Sequence, residues 1–514
     1  MKHRFLKSLC ALCLAPLLLT GCWSEDPEEP DSGQLLVSQE PAEPQQEAII
    51  LPADFTLPYL PGQTMDPVTC ADGMQQVVGS LLYEGLFQLD EQLEPQQVLC
   101  AGYTYDPETY TYVFTLRAGV IFSDGSPLTA DDVAQTLRRA SASARYGERL
   151  KNVASITAGA GSVTVVLTGP GTGFAALLDI PIVKAGTESD AIPTGTGPYV
   201  YSAEDGPHLT ANPSWWQSGS VPVETIGLSA AGDRDTMLYQ FTSHDIQLIT
   251  ADLTGTAPVS VTGSISFQDA DTTILQYVGF NTQKAPFDSA ALRSALNLGV
   301  NRGSVVSAYL SGHGAAAQFP ISPVSPLYPS ELEEIYSYDA FAAAMAEAGY
   351  AAGIARTATL LVNSENSFKV SAAEQIAQSL SAFDLDIQVR ALPWEEYTAA
   401  LAAGDFDLYY GEVKLTADWD LSALLGTGGA LNYGGWSSAQ TDQLLASCAA
   451  ASDRGAALKA LCAHLRQQSP ILPVCFKSTS VLVQTGVVEG LKPTMSNPFY
   501  DLTACTIHLR ETAA

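Results

Sequence analysis

Residues 109–117 read Thr-Tyr-Thr-Tyr-Val-Phe-Thr-Leu-Arg, and residues 122–133 read Phe-Ser-Asp-Gly-Ser-Pro-Leu-Thr-Ala-Asp-Asp-Val. The first stretch alternates with a period of two, so Tyr110, Tyr112, Phe114 and Leu116 share one face of a half-buried strand. In the second, Ser123-Asp124-Gly125-Ser126-Pro127 forms a turn. Thr129, with Asp132 three residues later, resembles a capping box opening a helix that runs through Arg139, with Val133 and Leu137 as its apolar edge. A strand, a tight turn and a capped helix in succession point to an α/β chain.

The same alternation extends through the second half. Helices are predicted over 288–299 with Asp288 as cap, 339–348 ended by Gly349, 371–383, and 395–403 ended by Gly404. Strands fall near 274–281, 358–362, 386–391 and 406–411, a pattern that favours a largely parallel sheet flanked by helices. Residues 438–450 and 456–468 each carry a helical apolar stripe and are separated by Ser452-Asp453-Arg454-Gly455, which makes a helical hairpin. The sequence contains no evident internal repeat, which disfavours a solenoid.

The chain has 514 residues, 24 basic against 55 acidic, and a formal charge of −31, so nucleic acid is excluded as a natural partner. At about 100–200 residues per domain this length makes two to four units, and 46% hydrophobic content allows an ample packed core. At the N-terminus, Lys2, Arg4 and Lys7 precede the apolar run Leu9 to Leu19, which is too short to span a bilayer and reads as an export signal. It closes on Leu19-Thr20-Gly21-Cys22, which resembles the lipobox of bacterial lipoproteins. That resemblance implies cleavage before Cys22 and lipid attachment to it. Residues 23–48 are acidic, rich in Pro and Gln, and free of Lys and Arg, the composition of an extended tether.

Six cysteines remain beyond the anchor: Cys70, Cys100, Cys448, Cys462, Cys475 and Cys505. An even number in an exported chain permits disulfides; Cys448 and Cys462 could approach across the hairpin, or stay free as buried thiols. The mature sequence has no CxxC or HExxH spacing and its histidines are dispersed, so no metal site is expected. Nor does it contain GxSxG, SxxK, a phosphate-binding loop or GxGxxG in a strand-to-helix setting. Asp405 and Asp407 flank Phe406, and a strand end beside solvent accounts for both. No catalytic residue and no cofactor is assigned.

Taken in order, several motifs resemble the large extracytoplasmic solute-binding proteins of peptide- and nickel-type ABC importers, family 5. They are Met65-Asp66-Pro67, Tyr83-Glu84-Gly85-Leu86, the 114–133 stretch, Gly195-Thr196-Gly197-Pro198-Tyr199, Asn212-Pro213 with Trp215-Trp216, Phe280-Asn281-Thr282 with Pro286-Phe287-Asp288, Leu292-Arg293, Asn301-Arg302, and Pro470-Ile471-Leu472-Pro473. The resemblance implies a two-lobed periplasmic-binding-protein-like α/β fold (type II, cluster C) with an extra subdomain in the first lobe. The implied organisation is a signal peptide over 1–21, a tether over 22–48, and first-lobe segments over 49–82 and 188–270. A subdomain is inserted at 83–187, the second lobe covers 271–480, and the chain returns to the first lobe over 481–514.

Function, on this resemblance, is capture of a small solute, an oligopeptide or dipeptide first of all, in an interlobe cleft and its delivery to membrane permease subunits. Asp418 in Ala417-Asp418-Trp419 falls where the family's aspartate receives a ligand amine; capping the helix that follows is its alternative role. Trp394 matches a cleft tryptophan, Trp419 lies beside Asp418, and Cys70, Ala71 and Asp72 occupy a segment that touches ligand backbone. Lys414 is the candidate cation for a ligand carboxylate. Leu415 and Asp420-Leu421 depart from the family pattern, which keeps a nickel chelate, haem or an oligosaccharide open as cargo. A sensing receptor and an exported hydrolase are the rival classes. The expected protein is a monomer held on the extracytoplasmic face of the cell membrane through lipid on Cys22.

Overall fold

The computed structural model describes residues 50–217, 219–350 and 356–511. The export signal, Cys22 and the tether lie outside them. Five sheets are present among the described residues. A four-stranded sheet orders Thr56–Tyr59, Thr225–Ala230, His208–Ala211 and Tyr199–Ser202. A second, antiparallel one orders Cys100–Asp106, Thr111–Leu116, Ser162–Leu167 and Val153–Ala158. The largest has seven strands, with Leu248–Ala251 at one edge, then Ile471–Gln484, Ile265–Phe280, Leu408–Lys414, Arg356–Asn363 and Leu385–Leu392, and Gly314–Ala316 added against Ile471–Gln484.

The strand expected at 109–117 forms over Thr111–Leu116, with Tyr112 and Phe114 buried on one face. Helix Ala130–Ser141 starts at Thr129 with both halves of the capping box made by Asp132, and it packs on the second sheet as one core. Helix Ala290–Leu298 is capped by Ser289, whose hydroxyl accepts from the Leu292 amide, in place of Asp288. The hairpin forms from Ala439–Ala450 and Arg454–Gln468. All six described cysteines are free thiols, Cys448 and Cys462 included.

The expectation of a largely parallel sheet is corrected. Arg356–Asn363 runs parallel to both its neighbours, but every pairing of Ile265–Phe280 and Ile471–Gln484 is antiparallel. These two long strands bridge different cores. Their inner halves alternate between cores on the two faces of the large sheet: Val278 and Leu472 join one, Tyr277 and Phe476 the other. The far end of Ile471–Gln484 instead joins a core built from 55–83, 183–228 and 487–505, through Val481 and Val483. The ladder breaks between Asp271 and Leu275. There the buried hydroxyls of Thr272 and Thr273 donate to the carbonyls of Lys477 and Leu415, both at 2.6 Å.

Glu84 ties the remote motifs together. Its buried carboxylate accepts from Trp215 Nε1 (3.1 Å) and Gln217 Nε2 (3.0 Å) on one oxygen, and from Trp216 Nε1 (2.7 Å) and Thr196 Oγ1 (2.8 Å) on the other. Gly195 and Gly197 let this loop press on the end of helix Gly73–Leu82; a Cβ on Gly195 would stand 2.1 Å from the Leu82 carbonyl oxygen. A second knot uses Arg293, which donates to the carbonyls of Phe287, Gln468 and Ser469, and Arg302, which donates to that of Pro473. Glu84→Ala is expected to cost about 2–4 kcal/mol, because four donors lose their acceptor in a buried site. Urea unfolding measures it, and an unchanged midpoint would remove Glu84 from this role.

Candidate functional site

Two adjoining cavities, of about 530 and 450 Å³, share Glu148, Arg149, Lys414, Leu415 and Thr416 in their walls. They lie between the core built on the second sheet and the face of the large sheet that carries Trp419 and Leu424. Ala270, Thr479 and Val481, on the two bridging strands, line the first chamber. Their combined size suits a small ligand.

Cations dominate the first chamber. Arg145 donates to the Cys70 carbonyl (2.5 Å) and to Gln76 Oε1 (2.9 Å), both neutral acceptors. Arg149 forms an ion pair with the buried Asp179, while its Nε has no hydrogen-bond partner among the described residues. Desolvation holds the Arg149 guanidinium down at about 10. Lys414 ends its strand, exposed, and its ammonium has no ion-pair or hydrogen-bond partner among the described residues. Desolvation first, then Arg149 and Arg145, push its ammonium below the ordinary value. The Tyr83 hydroxyl on the same wall is buried and unpartnered among the described residues.

In the second chamber, Asp418 accepts from Thr416 Oγ1 (2.5 Å) and the Asp420 amide (3.3 Å), and Arg454 donates to its backbone carbonyl at 2.5 Å. Burial raises the Asp418 carboxyl above its usual 3.8. The following helix, Ser422–Leu425, has no side-chain cap bond, so Asp418 does not cap it; Asp420 accepts from the Ser422 amide. Trp419 is buried at φ +54, in the left-handed region, against the edge of Phe476, and its indole N–H has no partner among the described residues. Opposite Asp418, the Thr172 amide and hydroxyl both meet the Ala449 carbonyl.

Of the residues singled out by sequence, Cys70 and Lys414 line the first chamber, and Lys414, Asp418 and Trp419 the second. Three fall elsewhere. Asp72 caps helix Gly73–Leu82, accepting from the Gln75 amide, and Ala71 is exposed outside both chambers. Trp394 begins helix Trp394–Ala403, 53% exposed and stacked on Tyr397. It follows Leu385–Leu392, the sheet's far edge, whereas the cavity adjoins Leu408–Lys414 two strands away. Sequence reasoning missed Arg145, Arg149 and Tyr83. The available signal was local: residues 138–151 hold Arg138, Arg139, Arg145, Arg149 and Lys151, a basic run in a strongly acidic chain. No group of three or more His, Cys, Asp or Glu among the described residues is arranged to hold a metal.

Two lobes bridged by paired strands, with a cavity between them, define a two-lobed solute-binding fold. The description "bacterial extracellular solute-binding proteins, family 5 Middle" matches residues 94–429, and the chain belongs to this family of transport components. The glutathione-binding protein GsiB of Escherichia coli K12 is 27% identical over 445 residues, 80% of this chain and 86% of that protein. Among solved structures, the oligopeptide-binding protein AppA of Bacillus subtilis, in complex with a nonapeptide, aligns with TM-score 0.59 and 20% identity, covering 90% of this chain and all of that one. A nickel ABC transporter structure from Bacillus halodurans aligns at 0.73 and 17% identity, covering 86% and 97%. No helix among the described residues is long and apolar enough to cross a membrane.

Because the folded state holds the Asp418 proton more tightly than the unfolded chain does, ionised Asp418 destabilises the fold, and the loss grows as pH rises through its elevated pKa. Asp418→Asn keeps the accepting oxygen. It is expected to raise the Tm of ligand-free protein at about pH 7 and to lose that gain as pH falls to where the native carboxyl is protonated. A lower Tm for the variant at neutral pH would contradict this.

Proposed function

We propose that this protein is a lipid-anchored binding component of an ABC importer that captures a short peptide between its lobes and delivers it to permease subunits. The observation that carries this reading is that the joined chambers offer charges of both signs at separate places. Arg145 stands in the first, Arg149 and Lys414 on the wall common to both, and the Asp418 carboxyl, beside Arg454, in the second. A peptide has an ammonium at one end and a carboxylate at the other, so it meets both. The curated relative named for glutathione and the solved relative bound to a nonapeptide support the class of ligand, and the Leu19–Cys22 sequence supports the anchor. In this reading Asp418 takes the ligand amine, Lys414 helps hold a carboxylate, and Cys70 and Trp419 contribute wall contacts. Ligand contacts to both walls favour the state in which the walls approach, which is the form a permease would recognise.

Mass spectrometry of small molecules released by denaturing protein purified from its own host is expected to find peptides; a consistent non-peptide solute would overturn the reading. Asp418→Ala is expected to weaken binding of the identified peptide by about 2–5 kcal/mol in titration calorimetry, since an ammonium would lose a largely buried partner. Unchanged affinity would remove Asp418 from the amine site.

A further inference from the structure

We infer that the cavity selects a solute of net negative charge, a peptide-type molecule with at least two carboxylates, one or more of them seated against Arg145, Arg149 and Lys414. This deepens the reading above and rests on it. The charges facing the first chamber are Arg145, Arg149, Lys414, Asp179 and Glu148. Asp179 pairs with Arg149, and Glu148, with its side chain 84% exposed, pairs with Lys151 at 2.6 Å. That leaves Arg145, whose guanidinium bonds only neutral acceptors, and Lys414, whose ammonium has no hydrogen-bond or ion-pair partner among the described residues, as two uncompensated cations.

A zwitterionic peptide with its amine on Asp418 would bring one carboxylate to answer two positive charges. A second carboxylate completes the balance. The net charge of −31 does not oppose this, since charges more than about 8 Å away are largely screened at physiological salt while those lining the cavity are not.

The test is calorimetry on the purified full chain, stripped of bound solute, with tripeptides that differ only by Glu, Gln or Lys at one position of an alanine background, and with glutathione. The expected order is Glu over Gln over Lys, with the best Glu peptide about tenfold tighter than its Gln counterpart and the ratio shrinking as salt rises. Lys414→Gln is expected to erase most of that ratio. Lys459→Gln, which removes an exposed lysine that pairs with Glu331 and lines neither chamber, leaves it intact. Gln and Glu peptides binding equally would overturn the inference and leave the peptide reading standing. If no peptide binds and the host-derived solute is neutral or cationic, both fail. If that solute is a non-peptide anion that loses affinity in Lys414→Gln, the peptide reading fails and the charge selection holds.

Discussion

The break in the ladder between Ile265–Phe280 and Ile471–Gln484 is the constraint on which the site depends. These strands belong to both lobes, and an unbroken pairing would make one stiff sheet of the whole. At Asp271–Leu275 the Thr272 hydroxyl reaches the Lys477 carbonyl across the interrupted ladder and the Thr273 hydroxyl takes the Leu415 carbonyl on the other side, so direction can change there without leaving these buried carbonyls unpaired. Lys477 sits at this point, 2% exposed, with Asp252 at 2.6 Å from one side and Glu412 at 3.6 Å from the other. Neither pairing adds much net stability, but loss of the carboxylates would strand a buried ammonium, so the cation restrains how the two sides meet. Ala270 and Thr479, within this crossing, are also cavity floor. The shape of the floor and the placement of the walls therefore have one origin.

What the sequence made legible was local. The capping box of Thr129 and Asp132 needs only four consecutive residues, and the observed helix begins where they place it. The motifs were legible as strings but their physical purpose was not, because Glu84, Thr196 and Trp216 span more than a hundred residues before one carboxylate gathers them. Strand direction was illegible for a similar reason. The segments near 274–281 and 406–411 look like members of an alternating α/β series, yet the first is the end of a sixteen-residue strand whose partner returns from beyond residue 470. Local periodicity carries no information about that partner.

Half of the candidate site was legible, for the same reason. Lys414, Asp418 and Trp419 lie within six consecutive residues, so one resemblance located them together. Arg145 and Arg149 lie in irregular turns after helix Ala130–Ser141, where no period marks a functional face, and only the fold brings them to Lys414. The same resemblance implies a cleft position for Trp394, whereas the residue opens helix Trp394–Ala403 after the sheet's edge strand, 53% exposed and outside both chambers.

On the reading proposed above, Asp418 and Lys414 both cost the protein stability and serve the ligand. Desolvated Asp418, a lysine repelled by two arginines, and buried donors without acceptors each oppose folding on their own. Opposite the bridging strands the walls meet where Thr172 bonds the Ala449 carbonyl, where Leu89 and Ala176 pack on Ala417, and where Leu93 enters the core that carries Trp419. The polar bonds contribute only about 1 kcal/mol net apiece, so most of this contact is apolar burial. A solute that neutralises the cations and touches Asp418 removes the local penalties only when both walls are near it. On the proposed reading, closure and occupancy are therefore coupled, and discrimination among solutes becomes discrimination in closure.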